Sequence, residues 1–482
     1  MSMKSLSLPA GLGWLICGAG AAGIFATYWD ESWHTDIGRD SFWTPAHLLL
    51  YGAMAVVGVS IAVWGLRVLL TLKSARRALA QLPVVAACLG GVAALAAAPI
   101  DNAWHEAFGR DAVEWSPPHM LVVFAATAIA LGALAGIDPN ARALRAAAGT
   151  LLLANAAAVV FEYETDVPQF TEVIYLPILL AVGLTAAGVL RRAVPLAAPV
   201  LTACLGYAVL RLAIGAILAL LGRSTPDLPI AVLGLAAYDL PLRGRYGRPA
   251  AAAAATAALA WAASALGLAS ESTSAVGVVA APVLVVAALI LAASYRPARV
   301  AWPAALIVLA AAAGLTTGAG RAAAHDPGEG PKVSTIELAA TSDGHGQIAM
   351  TATLAGGCNH TAPVSVVARR AGRTITAPLH STGACTYAGS LAVTERGRWF
   401  TYVELDDNGR RAEAWLPVDA GVAGHRAQSR TLYRPAGSSP GHRSAEIAAG
   451  APIYLAGFLI LGVGILAARR LPRNEPTVRP QQ

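Results

Sequence analysis

The sequence predicts a polytopic α-helical membrane protein of about twelve spans, with an extracytoplasmic β-sandwich inserted before the last span. Three observations predict it. Of 482 residues, 56% are hydrophobic and 13% charged, whereas a globular chain carries about 25% charged residues. Apolar runs of about 20 residues, the length a helix needs to cross a bilayer, recur through residues 1–320 and once more at 446–468. Between them, over 330–435, the chain turns polar and alternating, as in "KVSTIEL", "QIAMTATL" and "RWFTYVEL", the pattern of short strands in a sandwich.

The helical domain, 1–320, takes its orientation from its basic residues. They cluster in short loops, as "LKSARR" (72–77), "RR" (191–192), "RGRYGR" (243–248), "YRPAR" (295–299) and "ARRLPR" (468–473). Loops rich in Lys and Arg stay in the cytoplasm. The alternate loops, 28–46, 101–118, 162–172, 222–228 and 270–275, therefore face outward, and Lys4 keeps the N-terminus inside. The first run, at about 8–28, has no small-residue cleavage site after a short apolar core and reads as a retained span. The same clustering accounts for the net charge of +7 without a nucleic-acid groove, so no nucleic-acid partner is expected. Membrane lipid is the expected surround, in the plasma or inner membrane.

Two outer loops repeat one another. The first reads "DESWHTDIGRDSFWTPAH" (30–47) and the second "DNAWHEAFGRDAVEWSPPH" (101–119). With a one-residue gap, Asp30, Trp33, His34, Arg39, Asp40, Trp43, Pro45 and His47 align with Asp101, Trp104, His105, Arg110, Asp111, Trp115, Pro117 and His119. The first 324 residues contain four histidines, and all four lie in these loops. Asp and His four apart share one face of a helix, and a proline favours the first turn of the returning helix. Each loop thus brings a carboxylate and two imidazoles together from two helices, a donor set for a transition metal. The competing reading is interfacial anchoring of polar and aromatic side chains. The Arg-Asp pairs are expected to act as ion pairs, caps or partners that hold a ligand histidine.

A third outer loop, "FEYETDVPQFTE" (161–172), carries Glu162, Glu164, Asp166 and Glu172 and no basic residue. Either its carboxylates complete a metal site or they form a solvated acidic loop. Residues 249–320 are rich in Ala, Leu and Val and are expected to pack helices. Cys17, Cys88 and Cys204 fall within spans as small apolar fillers. Cys358 and Cys385 fall in the outer domain, where a disulfide is permitted. A metal site using Cys358 and His360, with His380, is the alternative.

The first motif resembles the metal motif in the C subunit of the copper membrane monooxygenases, the particulate methane and ammonia monooxygenases. That motif reads Asp-x-x-Trp-His, then Arg-Asp, then Thr-Pro-x-His. Here Asp30, Trp33, His34, Arg39, Asp40, Thr44, Pro45 and His47 match, with twelve residues between the histidines. The resemblance implies copper at Asp30, His34 and His47. By the repeat, a second site follows at Asp101, His105 and His119. The likeness covers about twenty residues, and the duplicated motif and the fused outer domain depart from the family's plan. It implies an integral membrane copper protein related to that C subunit, as part of an O₂-activating hydroxylase that needs partner subunits and an electron donor. The alternative is copper transport or delivery, for which five methionines and no Cys-x-x-Cys are a poor ligand supply. A structural subunit without metal is the third class. His₂-carboxylate sites also suit Zn and Fe(II).

Overall fold

The computed structural model describes residues 6–37, 43–108, 115–166, 170–242, 244–295, 329–355, 357–358, 360–370, 373–435 and 440–471. Among these, nine helices are long and apolar enough to cross a membrane, which fits a multi-pass membrane protein. The helices are α1 (Ala10–Ile37), α2 (Pro45–Leu72), the short α3 (Ala75–Leu79), α4 (Leu82–Phe108) and α5 (Pro117–Gly136). They continue with α6 (Arg142–Ala157), α7 (Phe161–Glu164), α8 (Tyr175–Ala193), α9 (Pro199–Leu220), α10 (Ile230–Leu233), α11 (Gly247–Ala265) and α12 (Thr273–Tyr295). A C-terminal helix spans Pro440–Arg469, longer than the expected 446–468. Residues 296–320, counted among the expected spans, lie outside the described residues.

Small residues set the closest helix approach. A Cβ on Gly90 of α4 would stand 2.7 Å from Ala125 O of α5, and one on Gly132 of α5 would stand 2.6 Å from Pro83 O. Such contacts replace the hydrophobic drive that lipid abolishes between spans. The C-terminal helix uses the same device, with Gly457 against Phe124 and Gly464 against Leu131 of α5. Meanwhile Val59, Leu66, Leu70 and Val92 stand exposed, as residues of a lipid-facing surface do.

One expected span takes a different form. Residues 224–239 start beside α1, where Ser224 N donates to Asp36 at 2.7 Å. They end where Asp239 accepts from Val200 N at 2.8 Å, at the opposite end of α9. This return passes through α10 and a 3₁₀ turn (Gly234–Asp239) in place of a regular helix. Broken backbone is tolerated at membrane depth when protein surrounds it, and Val232 and Leu235 are buried here.

The domain that follows α12 is one nine-stranded antiparallel sheet in the order β4-β3-β7-β8-β9-β1-β2-β6-β5. The strands are β1 (Glu329–Asp343), β2 (Gln347–Ala355), β3 (Thr361–Arg370), β4 (Arg373–Pro378), β5 (His380–Gly383), β6 (Thr386–Ala392), β7 (Arg398–Asp407), β8 (Arg410–Asp419) and β9 (Ala423–Pro435). The two ends of the order, β4 and β5, are separated by Leu379 alone. The sheet therefore folds over itself, and a Cβ on Gly389 of β6 would stand 3.0 Å from Val366 of β3. Ile336, Ile348, Met350, Val366, Trp399 and Leu416 share the enclosed core. The Cys358–Cys385 disulfide ties the β2–β3 connection to the β5–β6 turn. That bond uses Cys358, so the alternative metal site with His360 does not form.

Arginines dock this sheet on the helical domain. Arg370 pairs with Asp166 and, at 3.0 Å, with Glu172, and donates to Ser270 O at 2.9 Å. Arg398 donates to Thr165 O at 2.7 Å. The docking buries Glu271 in the loop before α12, where burial, then the charges of Asp227, Glu172 and Glu164, push its carboxyl up to about 8 from 4.5. Across that window the unfolded chain has lost a proton that the folded chain keeps. Stability therefore falls as pH rises through it. Glu271→Gln, which stays neutral, is expected to match the wild type near pH 5 and to exceed it increasingly towards pH 8. Thermal unfolding of both proteins across this range checks it, and a constant difference would refute it.

Candidate metal centre

Each motif forms a helix–loop–helix hairpin. In the first, α1 carries Asp30 and His34 one turn apart, and α2 begins at Pro45. Thr44 caps it, its side chain accepting from His47 N at 3.3 Å. Asp30 Oδ1 then lies 3.3 Å from His47 Nε2, and Asp30 Oδ2 lies 3.9 Å from His34 Nδ1. In the second, α4 carries Asp101 and His105, and α5 begins at Pro117. There one atom, Asp101 Oδ1, lies 3.3 Å from Nε2 of both His105 and His119.

The one-residue insertion of the second motif does not displace His119. Both later histidines are the third residue of their helix, and His119 reaches its carboxylate at the same 3.3 Å as His47. The proline fixes where the helix starts, so the extra residue falls in the preceding loop. The two hairpins differ in another way. Asp101, His105 and His119 offer one ligand atom each, all within 4.8 Å of one another, and they are the one such group of three among the described residues.

The geometry suits either an ion pair or the shell of a metal. Asp30 Oδ1 and Asp101 Oδ1 are buried, and the groups that face them are these histidine nitrogens. Around an ion held at about 2.0–2.1 Å in tetrahedral geometry, donor atoms stand roughly 3.3–3.5 Å apart. Three of the four contacts, at 3.3 Å, fall there, and the Asp30–His34 contact, at 3.9 Å, is longer.

Both hairpins face one cavity of about 110 Å³. Asp30, His34, His47, Asp101 and His119 line its polar end, while Leu50, Met54, Val122 and Phe161 are among its apolar lining. Three further polar residues in it escaped the sequence reading. Glu31 is buried beside Asp30, Tyr51 stacks on His47 with ring centroids 5.6 Å apart, and Asn155 reaches in from α6. Asn155 had a usable signal, since an amide within an apolar span is uncommon. Glu31 had none, because a Glu beside an Asp at a membrane boundary reads as solvated.

The acidic loop neither completes a metal site nor stands in solvent. Glu162 accepts from Trp115 N at 3.2 Å, which holds the second hairpin where α5 begins. Glu164 pairs with Arg211 inside the bundle, and Asp166 and Glu172 receive Arg370 of the sheet. Asp36, the first motif's additional carboxylate, accepts from Ser224 Oγ at 2.6 Å. Arg39, Asp40, Arg110 and Asp111 lie outside the described residues. The sheet and both hairpins occupy the same end of the helical domain, opposite Arg191, which pairs with Asp239 at 3.3 Å.

Comparisons with protein-family models, curated proteins and solved structures find no match for this chain.

Proposed function

We propose that this is a copper-binding protein of the cell membrane, related to the copper membrane monooxygenase C subunit and serving an O₂-activating hydroxylase. The observation that carries the metal reading is the meeting, in each hairpin, of one buried carboxylate with two histidine nitrogens inside a cavity. Copper itself rests on the motif resemblance. Asp30, His34 and His47 would hold one ion, and Asp101, His105 and His119 another. Copper bound there supplies the one-electron and O₂ chemistry that side chains lack.

The chain's own residues do the rest. Each aspartate sets a negative charge against a cation, and Tyr51 fixes the ring of His47 by stacking. The apolar wall of the cavity admits a small apolar molecule and excludes bulk water. An electron donor and partner subunits complete this reading. The Lys/Arg clusters place the sheet domain and both sites outside the cytoplasm.

The test is metal loading of purified full-length protein in nanodiscs. Two copper ions per chain, with nitrogen couplings in the Cu(II) resonance, are expected after dialysis. Retention of zinc or iron in preference to copper would overturn the copper assignment, and retention of none would overturn the metal reading.

A further inference from the structure

The two hairpins are held by different parts of the molecule. The second is held within the membrane domain. There Trp115 N donates to Glu162 at 3.2 Å, Trp115 Nε1 donates to Val159 O at 3.2 Å, and Tyr454 of the C-terminal helix donates to Trp115 O. The first is held by Ser224 of the membrane domain, through Asp36 at 2.6 and 2.7 Å, and in addition by the sheet. Gln428 Nε2 donates to Asp36 O at 2.8 Å, and Arg430 Nη2 lies 3.4 Å from both Thr35 O and Asp36 O. Arg426 Nη2 reaches Asp36 Oδ1 at 3.3 Å. These three residues sit at alternate positions of β9, which a strand presents on one face.

A helix ends with four carbonyls that have no partner within it, and cations are favourable at that end. Thr35 and Asp36 belong to the last turn of α1, and His34 directly precedes them. The last turn of an uncapped helix frays. Fraying at Thr35 would release His34 from its i,i+4 alignment with Asp30, and with it one of the three donors of that set. Arg430 is itself held in direction, its guanidinium lying 4.6 Å from the Trp415 ring centroid. We infer that Arg426, Gln428 and Arg430 are positioning residues for the Asp30–His34–His47 site, forming a C-terminal cap on α1 that the sheet domain supplies. Metal binding in the first hairpin thereby depends directly on docking of the sheet, whereas the second, among the described residues, meets the sheet only through the loop that follows Glu162.

This inference rests on the metal reading of the two hairpins, and the experiment separates the two. Full-length Arg426→Ala/Gln428→Ala/Arg430→Ala protein is compared with wild type by chelator competition for copper and by amide hydrogen exchange of the metal-free protein. One of the two coppers is expected to weaken at least tenfold while the other keeps its affinity, and exchange at residues 34–37 is expected to rise without a rise at 105–108. Gln428→Ala alone, which leaves both arginines in place, is expected to give a smaller shift of the same kind. Arg430→Lys, which keeps a cation at the helix end, is expected to retain both coppers. Unchanged exchange, or equal weakening of both coppers, overturns the cap. Raised exchange in a protein whose wild type holds no copper overturns the metal reading and leaves the cap standing.

Discussion

Glu164→Ala is expected to destabilise the helical domain by about 3–5 kcal/mol, because it strands a buried guanidinium. Arg211 is 1% exposed. Its partners are the Glu164 carboxylate, the Tyr207 hydroxyl at 3.0 Å and Asp227 O at 2.6 Å. Tyr28 donates to the same carboxylate at 2.8 Å, and its ring lies under the guanidinium at 4.3 Å. Without Glu164 the positive charge keeps its polar contacts but loses its only anionic one in this cluster. The double variant Glu164→Leu/Arg211→Met is expected to be far less destabilised than Glu164→Ala, since replacing both members of a buried pair with apolar groups is often close to neutral. Thermal unfolding in one detergent checks the series. A Glu164→Ala protein within about 1 kcal/mol of wild type, the range of an exposed pair, would show that water reaches this network.

Asp101→Ala is expected to remove one copper per chain, with an affinity loss beyond about 100-fold, since even outer-sphere partners of a metal ligand cost 10–100-fold. Asp101 Oδ1 is the atom common to both histidine contacts of the second hairpin, so its loss leaves two imidazoles and no charge to oppose the cation. Asp30→Ala is expected to remove the other copper. The second hairpin should fill first at limiting copper, because its three ligand atoms already lie within 4.8 Å of one another. The first divides its contacts between two oxygens, at 3.3 and 3.9 Å. Copper stoichiometry of the two variants at one equivalent per chain reads this order directly. If Asp30→Ala empties the protein at that loading and Asp101→Ala does not, the ranking is wrong.

What could be read from the chain alone was local or periodic. Apolar runs of membrane length require helices whatever surrounds them, and alternation after residue 329 requires strands. The Asp-x-x-x-His and Pro-x-His spacings are fixed by the pitch of a helix and by the place of proline at its start. For that reason each aspartate lies within 4 Å of both its histidines, and the insertion before His119 leaves it 3.3 Å from Asp101. The Cys358–Cys385 bond was legible because two cysteines in one polar, strand-rich domain have few other partners.

What only the tertiary structure decided depends on residues far apart in sequence. No spacing rule says that Asp30 and Asp101 open on one cavity, since that follows from how α1, α2, α4 and α5 pack. The acidic loop could be read either as metal-binding or as solvated because its partners, Arg211, Arg370 and Arg398, lie about 50 to 230 residues away in the sequence. The chain between Ser224 and Asp239 looked like one more span because hydropathy records burial and not backbone geometry. Composition and helical pitch therefore determined which groups meet within each hairpin. Long-range packing decided the partner of each carboxylate, because Glu164, Asp166 and Glu172 meet arginines that are remote in sequence, whereas Asp30 and Asp101 face the histidines of their own hairpins.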